Sequence, residues 1–195
     1  MARQATVTRT TGETDIALSV NLDGEGVSTI TTGVGFFDHM LTLFARHGLY
    51  DLDVTAHGDL ATGSHHTVED TGIVLGQAFD QALGDRAGIE RYGSAYVPMD
   101  ECLAHAATDI SGRPHVSCSV PLPTAVVGGF ETDLLEEFLR GFANNARLTL
   151  HVRLLAGENP HHVIEACFKA VARALRVATA INPRERGVPS TKGSL

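Results

Sequence analysis

Two copies of one signature carry the residue types best suited to chemistry: His65-His66-Thr67-Val68-Glu69 and His161-His162-Val163-Ile164-Glu165. Successive residues of an α-helix are about 100° apart, so His65 and Glu69 lie within about 40° of each other, one turn apart. They can share an ion. His66 points about 100° away from His65 and suits a second ion better. The other copy has the same geometry. A single motif of this kind is commonplace on an exposed helix, whereas two copies at matching places in a repeated chain are not. The zincin order His-Glu-x-x-His is absent. Imidazole and carboxylate without thiolate point to manganese or a similar octahedral ion, rather than to structural zinc.

These motifs sit in a chain that repeats its own order of elements. In the first half, Thr14 to Leu22 alternates apolar and polar residues, Asp23-Gly24-Glu25-Gly26 makes a turn, and Val27 to Thr32 is a β-branched run. That pattern predicts a hairpin. Phe36, Phe37, Met40, Leu41 and Phe44 have helical spacing, with Gly48 as the expected stop, and Leu52, Val54 and Ala56 mark a third strand. His65 to Leu83 then reads as a helix. The second half follows suit. Glu101 to Ile110 matches Glu13 to Leu22, Val116 to Val120 returns, and Pro121 to Gly129 is a longer insert. Asp133 to Phe142 matches the first helix, Leu148 to Val152 the third strand, and His161 to Ala180 the second helix. The expected fold is α+β, with two β-β-α-β-α halves, residues 1–91 and 92–195, packed as one compact functional domain. In this alignment His39 lies over Glu137, which brings the candidate ligands to eight: His39, His65, His66, Glu69, Glu137, His161, His162 and Glu165. Shared by two ions, four ligands each would leave positions open for substrate or water.

Composition narrows the partners. At 195 residues and 43% hydrophobic content the chain can bury a core. A net charge of -8 argues against general nucleic-acid binding, which needs a concentrated basic surface. No run approaches the roughly 18 to 20 apolar residues of a membrane helix, and the opening residues lack a signal-peptide core; a cytoplasmic protein is expected. Cys102, Cys118 and Cys167 are odd in number and far apart, so neither a disulfide framework nor a thiolate zinc site is suggested. Any phosphate must be held by a few placed cations. Arg91 and Arg113 flank turns, Lys169 follows Glu165 by one turn, and the chain ends with Pro189-Ser190-Thr191-Lys192-Gly193. Each has an ordinary explanation, such as an i,i+4 pair of Lys169 with Glu165. Beside a metal site, they make a plausible phosphate cradle.

Gly35-Phe36-Phe37-Asp38-His39-Met40-Leu41, the two His-His-x-x-Glu motifs and the Pro-Ser-Thr-Lys-Gly tail together closely resemble the imidazoleglycerol-phosphate dehydratase family. The resemblance spans essentially the whole chain. It implies a fold like that of a ribosomal-protein domain, a 24-subunit homo-oligomeric shell, and two manganese ions per active site. It further implies conversion of D-erythro-imidazoleglycerol phosphate to imidazoleacetol phosphate and water in histidine biosynthesis. Its metal ligands fall on His39, His65, His66, Glu69, His161, His162 and Glu165. Its phosphate contacts fall on Arg91, Arg113, Lys169, Thr191 and Lys192, with His47 nearby, and its acid/base on Glu13. One position departs: Glu137 stands where the family usually has histidine. A carboxylate oxygen also suits a hard divalent ion, so the site is expected to be altered but retained.

The reaction explains the need for metal. The substrate's C2 proton has no neighbouring carbonyl to acidify it, so the imidazole must drive the chemistry. Held between ions as imidazolate, the ring expels the adjacent hydroxyl to give a diazafulvene, and a carboxylate, expected to be Glu13, then removes the C2 proton. Two rival readings are a metallohydrolase acting on a phosphorylated substrate and a metal-glued assembly protein without activity. An assay with imidazoleglycerol phosphate separates all three.

Overall fold

The computed structural model describes residues 3–195, so the first two residues of the predicted first half lie outside the described residues. The first half comprises strands β1 (Gln4–Thr10), β2 (Thr14–Asn21) and β3 (Ser28–Thr31), helix α1 (Gly35–Gly48), β4 (Asp51–Gly58) and helix α2 (His65–Leu83). The second comprises β5 (Tyr92–Met99), β6 (Cys102–Asp109), β7 (His115–Ser119), the small pair β8 (Val126–Val127) and β9 (Phe130–Glu131), α3 (Leu134–Asn145), β10 (Thr149–Ala156) and α4 (Pro160–Thr179). The expected β-β-α-β-α order is present twice in this α+β chain, and each half adds one strand in front of it. The short β8–β9 ribbon falls in and just after the predicted insert.

The two leading strands give a weak periodic signal because they bury so little. Along β1 only Val7 is buried, among threonines and an arginine, and along β5 only Gly93 and Val97. Gly93 is required where it stands: a methyl group there would lie 2.0 Å from the Ala174 carbonyl oxygen of α4.

The predicted hairpin of residues 14–22 with 27–32 does not form. The sheet order is β1-β2-β4-β3, so β4 separates β2 from β3, antiparallel to the first and parallel to the second. The cause lies at the turn. Asp51, opening β4, accepts backbone hydrogen bonds from Glu25 (2.9 Å) and Val27 (3.1 Å), which tie the turn to β4 instead of folding it back on β2. Those two hydrogen bonds hold the Asp51 carboxyl below its ordinary range. The second sheet repeats the arrangement as β5-β6-β10-β7. Gly48 is still helical, and α1 is ended by Leu49 in the left-handed conformation (φ 57°).

The helices cross between the halves: α1 packs beside α4, and α2 beside α3. One sheet lies against α2 and the other against α4, and a single apolar core drawn from both halves runs through the helical layer. In the α2–α3 pair the backbones touch. A methyl group on Gly72 would lie 2.7 Å from the Phe138 carbonyl oxygen, one on Gly76 2.3 Å from that of Phe142, and one on Gly141 2.8 Å from that of Glu69. Gly72 by Phe138, Gly76 by Phe142, and Gln77, whose amide donates to Asn145 Oδ1 at 3.4 Å, advance together along both chains, so α2 and α3 run parallel.

Gly76→Ala tests this approach. Alanine favours an isolated helix over glycine by about 1 kcal/mol, yet forcing a methyl into packed backbone costs about 1–3 kcal/mol. The variant should unfold at a lower urea concentration than the parent; an unchanged or higher midpoint would mean that the helices do not meet at Gly76.

Candidate active site

The pairing of α1 with α4 assembles the tightest cluster. His39, from the first turns of α1, and His161, from the first turn of α4, each place Nε2 at 3.3 Å from Oε2 of Glu165. The other carboxylate oxygen of Glu165 accepts from Lys169 Nζ at 2.6 Å. Burial pushes the Glu165 carboxyl upward, but the Lys169 ammonium and His39 outweigh it, and the group lies below its usual range. The i,i+4 pairing of Lys169 with Glu165 is therefore present. Two imidazoles and a nearly buried carboxylate, with ligand atoms within 4.8 Å of one another, suit a divalent cation. A neutral imidazole brings at most one proton to that oxygen, and a metal ion would satisfy all three groups at once.

In the other motif His65 Nε2 lies 3.5 Å from Glu69 Oε2. Among the described residues no hydrogen bond or ion pair joins the two motifs within one chain. Glu137 is half-buried on α3 and borders a recess lined also by Cys118, Leu122 and Asp133. The parallel α2–α3 register, with Gly72 by Phe138, Gly76 by Phe142 and Gln77 bonded to Asn145, sets Glu137 level with the Glu69 turn. Glu137 is thus related to Glu69 as His39 is to Glu165.

The second histidine of each motif is held from outside the motif. His66 Nδ1 lies 3.1 Å from both carboxylate oxygens of Asp59, in the loop after β4. His162 Nδ1 lies 2.8 Å from Glu101 Oε2, at the turn into β6. These hydrogen bonds raise the imidazole pKa of both His66 and His162, and that of His162 holds the Glu101 carboxyl down to about 2. At the N-terminus of α4, Pro160 occupies the first turn and the Asn159 side chain accepts from the backbone N–H of His161 at 3.0 Å. Sequence reasoning noted Glu101 only as the counterpart of Glu13 and missed Asp59. Nothing in its loop, Gly58-Asp59-Leu60, marks it, since it lies seven positions before His66 and outside the helix.

Glu13 stands in the tight turn between β1 and β2. The Thr11 hydroxyl accepts from the backbone N–H groups of Glu13 (3.1 Å) and Thr14 (3.0 Å), and the Glu13 carbonyl accepts from Asp59 N–H at 3.1 Å. Thr14 in turn donates to the buried Asp70 of α2 at 2.5 Å, and Arg9 pairs with that same carboxylate. The backbone is pinned and the side chain is free: Glu13 Oε1 lies 3.7 Å from His66 Nε2, half-exposed and without a hydrogen bond of its own among the described residues.

The expected phosphate contacts fall into two groups. His47, near the end of α1, faces Lys169 and Arg173 of α4, next to the Glu165 cluster; burial first, and then those cations, lower its pKa. Arg91 and Arg113 lie at the far end of β6. The Arg91 guanidinium donates to both oxygens of Asp109 (2.7 and 3.2 Å) and to the Pro189 carbonyl (2.9 Å), and it stacks over Tyr92. Arg113 is exposed, 3.9 Å from Asp109. The exposed Thr191 and Lys192 follow Pro189. Eight strand residues, roughly 25 Å at about 3.3 Å per residue, separate Glu101 from Asp109. One chain therefore does not bring all the cations together. No helix of the described residues is long and apolar enough to cross a membrane.

The sequence matches the family described as imidazoleglycerol-phosphate dehydratase over residues 32–175. It is 61% identical to the imidazoleglycerol-phosphate dehydratase of Granulibacter bethesdensis and 60% identical to that of Acetivibrio thermocellus, in each case over 100% of both chains. Among solved structures, the Staphylococcus aureus imidazoleglycerol-phosphate dehydratase superposes with a TM-score of 0.83 at 45% identity, covering 92% of this chain and 99% of the other. The Pyrococcus furiosus protein gives 0.84 at 41% identity, covering 97% and 100%.

The Gly88 N–H holds the tail at the Gly187 carbonyl (2.7 Å), and the Arg91 guanidinium holds it two residues further on, at Pro189. Arg91→Ala should therefore free the residues beyond Gly187, so that trypsin cuts after Lys192 at least several-fold faster than in the parent while the remaining fragment resists. Equal cleavage rates would show that the tail is held elsewhere.

Proposed function

The chain belongs to the imidazoleglycerol-phosphate dehydratase family, lyases of histidine biosynthesis acting on a small molecule, and from that premise we propose that it converts D-erythro-imidazoleglycerol phosphate to imidazoleacetol phosphate and water with two manganese ions per active site. The observation that carries the metal-dependent reading is the convergence of His39 and His161, from opposite halves, on the single buried carboxylate of Glu165. The ligands are His39, His65, His66, Glu69, His161, His162 and Glu165, with Glu137 in the place of the family's usual histidine. The bound ions supply the positive charge that stabilises the substrate's imidazole ring as its anion. The ring then drives out the adjacent hydroxyl, which leaves as water with the proton the ring gave up, and the C2 proton removed next returns to the carbon beside the ring as the enol becomes the ketone.

Glu13 takes the C2 proton. Its pinned backbone and unbonded carboxylate support that role, because a general base needs a fixed position and a free lone pair. Lys169 and His47 hold the phosphate from the helical face, and Arg91, Arg113, Thr191 and Lys192 hold it from the tail end of a neighbouring copy. The separation of those two cation groups within one chain supports a site closed between subunits; the shell of 24 and the cytoplasmic location are carried over from the family resemblance. Neither nucleic acid nor membrane is a partner in this reading. The metallohydrolase and the inactive assembly protein lose ground to the full-length identity with dehydratases.

Exhaustive chelation should abolish imidazoleacetol phosphate formation, and manganese should restore it better than magnesium or calcium; full activity in verified metal-free protein would end the metal-dependent reading. In Glu13→Gln, turnover should fall by at least ~100-fold, a common contribution of a general base, with manganese content and substrate KM little changed. Near-parental kcat would remove Glu13 from the role.

A further inference from the structure

The repeat places a glutamate before β2 and before β6, yet the two do different things. Glu101 is fully engaged: one oxygen meets His162 Nδ1 at 2.8 Å, and the other accepts from Asn159 N–H at 3.1 Å and from the Cys102 thiol at 3.2 Å. Its counterpart Glu13 faces the opposite nitrogen of the corresponding histidine, Nε2 of His66. The Nδ1 of His66 is taken instead by Asp59, which has both oxygens at 3.1 Å and is itself steadied by the Thr62 hydroxyl at 3.0 Å. Two non-equivalent carboxylates thus reach the same ring nitrogen at equivalent histidines.

Resting on the reading above, we propose that Asp59 and Glu101 are positioning residues. Each holds the proton of its histidine on Nδ1, so that His66 and His162 present an Nε2 lone pair in a fixed direction toward a metal ion, and Asp59, by relieving Glu13 of that task in the first half, leaves it free to act on substrate. A carboxylate behind a ligating imidazole fixes the tautomer, fixes the ring plane and raises ligand basicity. The geometry excludes the alternative that Glu101, Cys102 and His162 themselves cage an ion. The Cys102 sulfur is buried and donates to Glu101, and His162 offers that group only the nitrogen already occupied. A neutral thiol that donates its proton is not the thiolate a metal needs.

The test is manganese titration of chelated protein by calorimetry, comparing Glu101→Gln, Asp59→Asn and His162→Ala with the parent, alongside turnover measured across a range of manganese concentrations. Glu101→Gln and Asp59→Asn should each weaken manganese binding by about 10–100-fold, the usual cost of losing such a partner, and saturating manganese should restore most of their turnover. A base lost in Glu13→Gln should not be restored at any manganese concentration. Parental manganese affinity in both carboxylate variants, with His162→Ala losing a site, would overturn the positioning role while leaving the ligand assignment intact. Parental affinity in His162→Ala as well would overturn the ligand assignment beneath it. Because Asp59 and Glu101 lie in different halves and bond different segments, a folding defect in one variant leaves the other to decide.

Discussion

The site depends on the exchange of helix partners between the two halves. Each half folds its own sheet, but α1 lies along α4 and α2 along α3, so the helices that carry chemistry are positioned by the other half. Parallel packing keeps equivalent turns level. His39 consequently meets Glu165, His47 meets the Lys169 and Arg173 turns, and Glu137 stands level with Glu69. On the α2–α3 side this closeness is made by Gly72, Gly76 and Gly141, which let backbone meet backbone. A half on its own would carry the motifs on helices with nothing to register them.

Around that frame the carboxylates are sorted by what already occupies them. Glu165 is buried and shared among Lys169 and two imidazoles, while Asp70 is buried under Arg9 and Thr14 and anchors α2 to the first sheet. Asp59 and Glu101 hold imidazoles. Glu13, whose carboxylate stands near His66, has its backbone fixed and its oxygens unbonded among the described residues. Environment, more than residue type, separates the acids already engaged from the one that is not, since a carboxylate with satisfied lone pairs has little left to offer a proton.

The cations are distributed differently. Lys169 and His47 sit on the helical face beside Glu165, whereas Arg91 is committed to Asp109, Tyr92 and the tail at the far end of the second sheet. A recess of about 510 Å³ in the outer face of the first sheet is lined by none of the candidate residues. Most of the candidate residues stand near the ends of helices and on turns.

Much of this was readable from the chain itself. The helices His65–Leu83 and Pro160–Thr179, the repeat, and the two His-His-x-x-Glu motifs follow from helical periodicity and from the residue types alone, because both are local properties. The resemblance of four ordered motifs fixed the family in the same way. What the sequence left undecided was non-local. The leading strands β1 and β5 bury too few side chains to alternate visibly, and the expected hairpin gave way to a strand inserted from further along the chain, tied there by Asp51. Asp59 and Glu101 looked like ordinary loop acids, since only the folded chain carries them to a histidine nitrogen. Residue type determined which groups were able to bind metal or move a proton; which of them are free to do so was decided by tertiary contacts, because a side chain's availability depends on neighbours that are remote in sequence.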